Sequence, residues 1–193
     1  MTKKIGLLGG TFDPPHIGHL IVAEEVRFQL QLDEVWFLPT NEPPHKGTAS
    51  SNNKHRERML SLALEHNENF RVHTIEFERS GKSYTIDTMR VLSERYPHVT
   101  FYFIIGADMV EYLPNWKDVD ILMDLVQFVG VERRGFTLET TYPIKTVSLP
   151  LIDISSSEIK ERIQNERPVQ YFLPNKVLQY IKEHQLYGYR TST

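Results

Sequence analysis

An α/β fold is what this sequence predicts: a parallel sheet with helices on both faces and a small C-terminal helical appendage. Three observations carry that reading. Short apolar runs alternate with segments whose apolar residues recur at helical spacing, as strand–helix–strand units require. The first run closes on Gly-Gly and is followed by a helix long enough for a right-handed parallel crossover. The last two periodic segments, within residues 151–193, are both helical.

The elements follow in order. Ile5–Leu8 reads as a buried strand ended by Gly9 and Gly10. After Pro14-Pro15, the spacing of Leu20, Ala23, Val26 and Leu30 predicts a helix over Gly18–Leu30, and Val35–Leu38 before Pro39 is the second strand. Thr40–Asn53, rich in Pro, Gly, Ser, Thr and Asn, reads as a long loop. Lys54–His66 is helical, with Met59, Leu60, Ala63 and Leu64 on one side. Phe70–Ile75 is a strand, and Tyr84–Tyr96 is a helix with Ile86, Met89, Leu92 and Tyr96 inward. Phe101–Ile105 is the strongest strand and ends at Gly106. A short helix over Val119–Leu125, strands over Gln127–Val131 and Ile144–Leu149, and helices over Ser156–Gln164 and Asn175–His184 complete the chain, the last opened by Pro174. This makes one domain, with a core over about 1–150 and a helical part over about 151–193. Ligands of such sheets bind beyond the carboxyl ends of the strands, so chemistry is sought just after Leu8, Leu38, Ile105 and Leu149.

Composition narrows the classes further. The 193 residues are 40% hydrophobic and 24% charged, ordinary globular usage that excludes a disordered or fibrous chain. The absence of Cys removes disulfides, thiolate metal sites and a Cys nucleophile, and suits a reducing compartment. A net charge of −3 argues against coating nucleic acid, which needs a strong positive field. The apolar run near the N-terminus is too short for a signal peptide, and no stretch approaches the ~18 apolar residues of a membrane span. The expectation is a cytoplasmic protein with neither nucleic acid nor membrane as partner.

Gly9-Gly10-Thr11-Phe12-Asp13-Pro14-Pro15-His16-Ile17-Gly18-His19 follows the first strand. It is neither a dinucleotide fingerprint nor a P-loop, yet it holds the parts of a phosphate site. The glycines let backbone amides approach a ligand, and the helix start directs N–H groups to the same spot. His16 and His19 share one face there, which Gly18 keeps open, and two imidazoles can donate to oxygens that gain charge in a transition state. The bland alternative leaves His16 capping or packing and His19 on a wet surface. This segment resembles the opening motif of the His-x-Gly-His nucleotidyltransferases, a Rossmann-like superfamily of adenylyl- and cytidylyltransferases.

Ile152-Asp153-Ile154-Ser155-Ser156-Ser157-Glu158-Ile159-Lys160 resembles the second motif of that superfamily, Ile-Ser-Ser-Ser/Thr-x-Ile-Arg. Physically it is a helix start lined with hydroxyls, and Ser155 with Glu158 also reads as a capping box. Lys160 stands where the motif has Arg, offering a point charge without a bidentate fork, with Arg133, Arg134 and Arg162 as substitutes. Gly106-Ala107-Asp108 follows the strongest strand, where a carboxylate can accept from ribose hydroxyls or cap the next helix. Trp116, in a Pro/Asn loop, either stacks on an aromatic heterocycle or plugs the edge of the core.

With Pro43-Pro44-His45-Lys46 and Ser83-Tyr84-Thr85-Ile86-Asp87-Thr88 added, essentially the whole chain resembles the bacterial nicotinate mononucleotide adenylyltransferases of Bacillus type. That resemblance implies ATP and nicotinate mononucleotide as substrates, and direct in-line transfer of AMP without a covalent intermediate. It implies that His16 and His19 are catalytic and bind the ATP phosphates, with Gly9, Gly10, Thr11, Phe12, Gly106, Asp108, Ser155, Ser156, Ser157 and Lys160 completing the ATP site. Lys46 would meet the mononucleotide phosphate, Trp116 the pyridine ring, and Thr85 and Tyr112 its carboxylate. Mg²⁺ would arrive with ATP and need no dedicated protein ligand. A homodimer is a further implication. Phosphopantetheine adenylyltransferases, cytidylyltransferases and a non-catalytic nucleotide binder are the rival readings of the first motif.

Overall fold

The computed structural model describes residues 2–42, 49–79, 81–132, 135–150 and 152–190. Strands β1 (Lys3–Gly10), β2 (Glu34–Pro39), β3 (Phe70–Val72), β4 (Val99–Gly106), β5 (Gln127–Val131) and β6 (Lys145–Val147) form a six-stranded sheet in the order β3-β2-β1-β4-β5-β6. Every neighbouring pair is parallel. The strand order reverses between β1 and β4, so the crevice of a topological switch opens beyond the carboxyl ends of these two strands.

Strand alternation splits the apolar runs between two cores. Ile5, Leu7, Trp36, Leu38, Phe101, Phe103 and Ile105 face one way, against α3 (Thr85–Arg95) and α5 (Val119–Leu125). Leu8, Val35, Phe37, Tyr102 and Ile104 face the other, against α1 (Ile17–Gln29) and α2 (Asn53–Leu64). Burial on both faces is why these strands read as continuous apolar runs. A third core joins the C-terminal part to the rest: Met59 of α2 packs among Ile159 and Ile163 of α6 (Ser156–Gln164) and Val177, Leu178 and Ile181 of α7 (Asn175–Glu183).

Some expected bounds change. The third strand stops at Val72, because Ile75 swings into a 3-10 turn over Ile75–Glu78 and is buried in the α3-side core. The last strand covers only Lys145–Val147. A helix the sequence reading lacked, α4 (Ala107–Tyr112), follows β4 without a break and runs into a 3-10 turn over Leu113–Asn115. Lys46, with Pro43, Pro44 and His45, lies outside the described residues, as do Arg133 and Arg134. Among the described residues no helix is long and apolar enough to cross a membrane.

Candidate active site

A cleft of about 660 Å³ lies at the switch between β1 and β4. Gly9, Gly10, Thr11 and Phe12 of the β1 turn line it. Phe12 holds a left-handed backbone (φ 50), and its ring is buried edge-on to His19 at 4.9 Å and tilted against Phe37. What Phe12 offers a ligand is therefore backbone, since its side chain belongs to the core. A Cβ on Gly10 would stand 3.1 Å from the Phe12 ring, so Gly10 makes room for that ring.

His16 is the N-cap residue of α1 and His19 sits one turn on. Their rings stack at 3.7 Å, and both line the cleft. The His16 backbone N–H donates to His19 Nδ1 at 3.1 Å, and the His19 N–H returns a bond to the His16 carbonyl at 3.0 Å. A neutral imidazole that accepts at Nδ1 carries its proton on Nε2, so this exchange assigns His19 as an Nε2–H donor. Gly18 does more than leave the face open. A Cβ there would lie 3.0 Å from His16 Nδ1, so the His16 ring occupies the space that the glycine leaves.

Across the cleft stands the start of α6. Ser155 Oγ accepts the Glu158 N–H at 3.1 Å and so caps the helix. The other half of the expected capping box is replaced by an ion pair of Glu158 with Arg162 at 2.9 Å. Ser156 Oγ donates to the Pro14 carbonyl at 2.8 Å, which ties α6 to the β1 turn. Ser157 and Lys160 line the cleft with Ser155 and Ser156. Lys160 Nζ donates to Ser50 Oγ at 3.0 Å and lies 3.6 Å from Asp13. Arg162 is not a substitute for it, because its guanidinium lies over the Phe172 ring and against Glu158.

Gly106 and Asp108 line the β4 side. Gly106 holds the N-cap position of α4 and Asp108 follows in its first turn, so Asp108 is not the cap. Thr85, Tyr112 and Trp116 are not among the residues lining this cleft; Tyr112 ends the short helix whose Met109 does line it. Trp116 is half-buried, edge-on to Phe103 at 5.9 Å and Phe128 at 5.8 Å, so part of the indole does plug the core. Lys117 lies over the Tyr84 ring at 4.7 Å and 3.5 Å from Asp87, which holds the Trp116 segment against the start of α3, where Thr85 stands.

Three residues of this region escaped the sequence reading: Asp13, Arg56 and Tyr187. Asp13 is buried in the cleft wall and accepts from the Ser50 N–H at 2.7 Å and the Tyr187 hydroxyl at 2.6 Å. Arg56 is wholly buried, and its guanidinium donates to the carbonyls of Thr11 at 2.9 Å and Thr40 at 2.7 Å. Burial lowers its pKa, opposed by the charge of Asp13. A signal for Arg56 was present: it stands three and four positions before Met59 and Leu60, on the apolar stripe of its helix. Nothing in the spacing announces Asp13 or Tyr187.

The cytidylyltransferase-like family model matches residues 7–162, which span the β1 turn, α4 and the start of α6. The chain is 49% identical to the nicotinate-nucleotide adenylyltransferase of Bacillus subtilis over 96% of its own length and 98% of that protein. It is 51% identical to a protein of Oceanobacillus iheyensis named "Probable nicotinate-nucleotide adenylyltransferase", over 97% of this chain and 98% of that one. Among solved structures, the nicotinic acid mononucleotide adenylyltransferase of Plasmodium falciparum complexed with NaAD superposes with a TM-score of 0.84 at 22% identity, covering 97% of this chain and 98% of that chain. That last likeness speaks for the fold, and the bacterial relatives speak for the group: the chain belongs to the cytidylyltransferase-like family, among its nicotinate-nucleotide adenylyltransferases.

Proposed function

We propose that this chain moves AMP from ATP to nicotinate mononucleotide, giving nicotinic acid adenine dinucleotide and pyrophosphate in NAD biosynthesis. The observation that carries the reading is the pairing of His16 and His19 with the start of α6 across one cleft, in a chain 49% identical to a nicotinate-nucleotide adenylyltransferase.

The acceptor's 5′-phosphate oxygen attacks the α-phosphorus of ATP in line. One P–O bond forms as the P–O bond to pyrophosphate breaks. The nucleophile is already an anion, so no base and no covalent enzyme intermediate are needed. Charge accumulates on the departing pyrophosphate. The His19 Nε2–H, His16 and the first-turn amides of α1 and α6 supply fixed donors for it, and electrostatic positioning is most of what phosphoryl-type transfer asks of a protein. In this assignment Lys160 balances phosphate charge and Asp108 takes the ribose hydroxyls. Lys46 takes the acceptor phosphate, Trp116 the pyridine ring, and Thr85 and Tyr112 its carboxylate.

Mg²⁺ belongs to the proposal as the companion of ATP, where it neutralises phosphate charge. Among the described residues no three His, Cys, Asp or Glu side chains converge as a metal-binding group. A hard cation that keeps several waters would be held here by the phosphate oxygens of ATP, with no dedicated protein ligand. We place the enzyme in the cytoplasm, as a Cys-free chain suits, and a homodimer is checked separately by light scattering.

The decisive experiment is pyrophosphate release from Mg-ATP with nicotinate mononucleotide, nicotinamide mononucleotide, phosphopantetheine or phosphocholine as acceptor. Strong release with the nicotinate nucleotide and much less with its amide is the expected result. Release with another acceptor alone would discard the Trp116 pocket, and ATP binding without release from any acceptor would make this a nucleotide binder.

A further inference from the structure

Among the described residues Arg56 is the largest side chain wholly withdrawn from solvent, and the chemistry described above does not use it. Its guanidinium lies over the Phe77 ring at 5.1 Å. One terminal nitrogen donates to two carbonyls, Thr11 after β1 and Thr40 after β2, and the other donates to Asn53 Oδ1. The bonds continue from there. Asn53 Nδ2 donates to Asn41 Oδ1 at 2.7 Å. Asn41 Nδ2 donates to the Arg79 carbonyl at 3.0 Å, and the Asn41 N–H donates to Ser83 Oγ at 3.3 Å. Ser83 immediately precedes Tyr84, the N-cap residue of α3, and Thr85. An unbroken chain of bonds thus runs from the β1 turn to the start of α3.

Two features make this more than packing. The carbonyl and N–H on either side of a trans peptide point in opposite directions. Drawing the Thr11 carbonyl to Arg56 therefore turns the Phe12 N–H the other way, and both residues line the cleft. Phe12 also holds φ 50, a conformation that costs a bulky residue energy and persists only when its surroundings fix it. The Thr40 carbonyl is held by the same nitrogen, and the Thr40 N–H bonds the Gly10 carbonyl at 2.9 Å.

We propose that Arg56 is a positioning residue for adenylyl transfer: through Thr11 and Thr40 on one side, and Asn53, Asn41 and Ser83 on the other, it fixes the separation between the ATP-binding turn and the acceptor-binding start of α3. This rests on the function proposed above. In-line transfer is sensitive to that separation, since a misplacement of ~1 Å far from the chemistry can cost ~10²-fold in rate. A Lys could keep the charge but not reach two carbonyls and Asn53 with a rigid fork.

Two variants test it. Asn53→Asp still accepts from Arg56 but offers no amide hydrogen to Asn41, so it cuts the chain beyond the guanidinium. Arg56→Lys cuts it at the source. For each, kcat and both Michaelis constants are measured with Mg-ATP and nicotinate mononucleotide, alongside ATP affinity by calorimetry and the melting temperature. The expected result for Asn53→Asp is a ~10-fold or greater fall in kcat and a raised KM for the acceptor, with ATP affinity and melting temperature near those of the unmodified protein. Arg56→Lys should fall further and lose ATP affinity as well. If it does not fold, Asn53→Asp decides alone. Unchanged kcat and KM values in folded Asn53→Asp, whatever its melting temperature, would reduce the chain to scaffolding and overturn the proposal. An unmodified protein inert towards nicotinate mononucleotide would overturn the proposed function first, and this inference with it.

Discussion

Tyr187 donates its hydroxyl to Asp13 Oδ1 at 2.6 Å, joining the last turn of the chain to the turn after its first strand. Burial first, and then the charge of Asp13, push the tyrosine's ionisation well above its ordinary value, so it stays a donor throughout the working pH range. The other oxygen of Asp13 takes the Ser50 N–H and faces Lys160. The C-terminal part, which reads in the sequence as an appendage, thus completes the wall of the cleft.

Tyr187→Phe removes that donor and leaves a buried carboxylate oxygen short of a partner. A hydrogen bond to a charged group contributes roughly 1.5–3 kcal/mol, and the loss of a buried one sits at the upper end of that range. For a chain of this size that is a fall of about 6–12 °C in melting temperature. Because Asp13 also faces Lys160, the KM for ATP should rise. A variant as stable as the parent, with the same KM, would show that the bond carries neither burden.

Gly18→Ala separates stability from function. Ala is the better helix former, which offsets part of the strain the new methyl group brings, so the change in stability should be small. The new methyl group would press on His16 Nδ1 at 3.0 Å and Cε1 at 3.1 Å, and the stacked pair must shift by a few tenths of an ångström. Turnover should drop about 10-fold, against the ~10²–10³-fold loss expected when His16 or His19 is replaced by Ala. Full turnover in Gly18→Ala would mean that the exact seat of His16 is irrelevant to the reaction.

How far the sequence was legible follows from where each signal lives. Buried strands announce themselves through runs such as Phe101–Ile105, and the β1 turn and the start of α6 through motifs that local backbone geometry demands. The six residues of α4 are too few to show a period, and they begin directly where β4 ends, so no spacing marks a helix there. Arg56 lies in Lys54-His55-Arg56-Glu57-Arg58, which reads as a solvated face until the positions of Met59 and Leu60 are counted. The Asp13–Tyr187 bond joins positions 174 apart, and no local pattern encodes such a pairing.

Trp116 packs on the core and, in the proposed function, stacks on the acceptor, and a conservative change can part the two. Its ring edge packs on Phe103 and Phe128, so Trp116→Ala opens the α3-side core and costs stability as well as any stacking on the acceptor. Trp116→Phe keeps an aromatic edge against that core but halves the stacking surface. The expected outcome is a melting temperature within a few degrees of the parent and a several-fold higher KM for nicotinate mononucleotide, with the KM for ATP unchanged. A raised KM for ATP instead would place Trp116 in the other substrate's pocket.

Glu34 gives a pH signature far from the chemistry, at the amino end of β2 and so at the opposite end of the sheet from the cleft. Burial alone would raise its carboxyl. Hydrogen bonds from Lys3, from the Trp36 indole and from Arg71 overcome that and bring it from its ordinary 4.5 to about 2. The sign follows: a depressed folded pKa adds stability that is complete above about 4.5 and is lost as pH falls from there towards 2. Lys3 and Arg71 are largely solvent-exposed, so the contribution is screened to roughly 1–2 kcal/mol and should shrink in high salt. Glu34→Gln should therefore lower the urea midpoint at pH 7, approach the parent near pH 3, and leave turnover untouched. Parallel loss of stability in the two proteins between pH 5 and pH 3 would show that the carboxylate of Glu34 is not what acid removes.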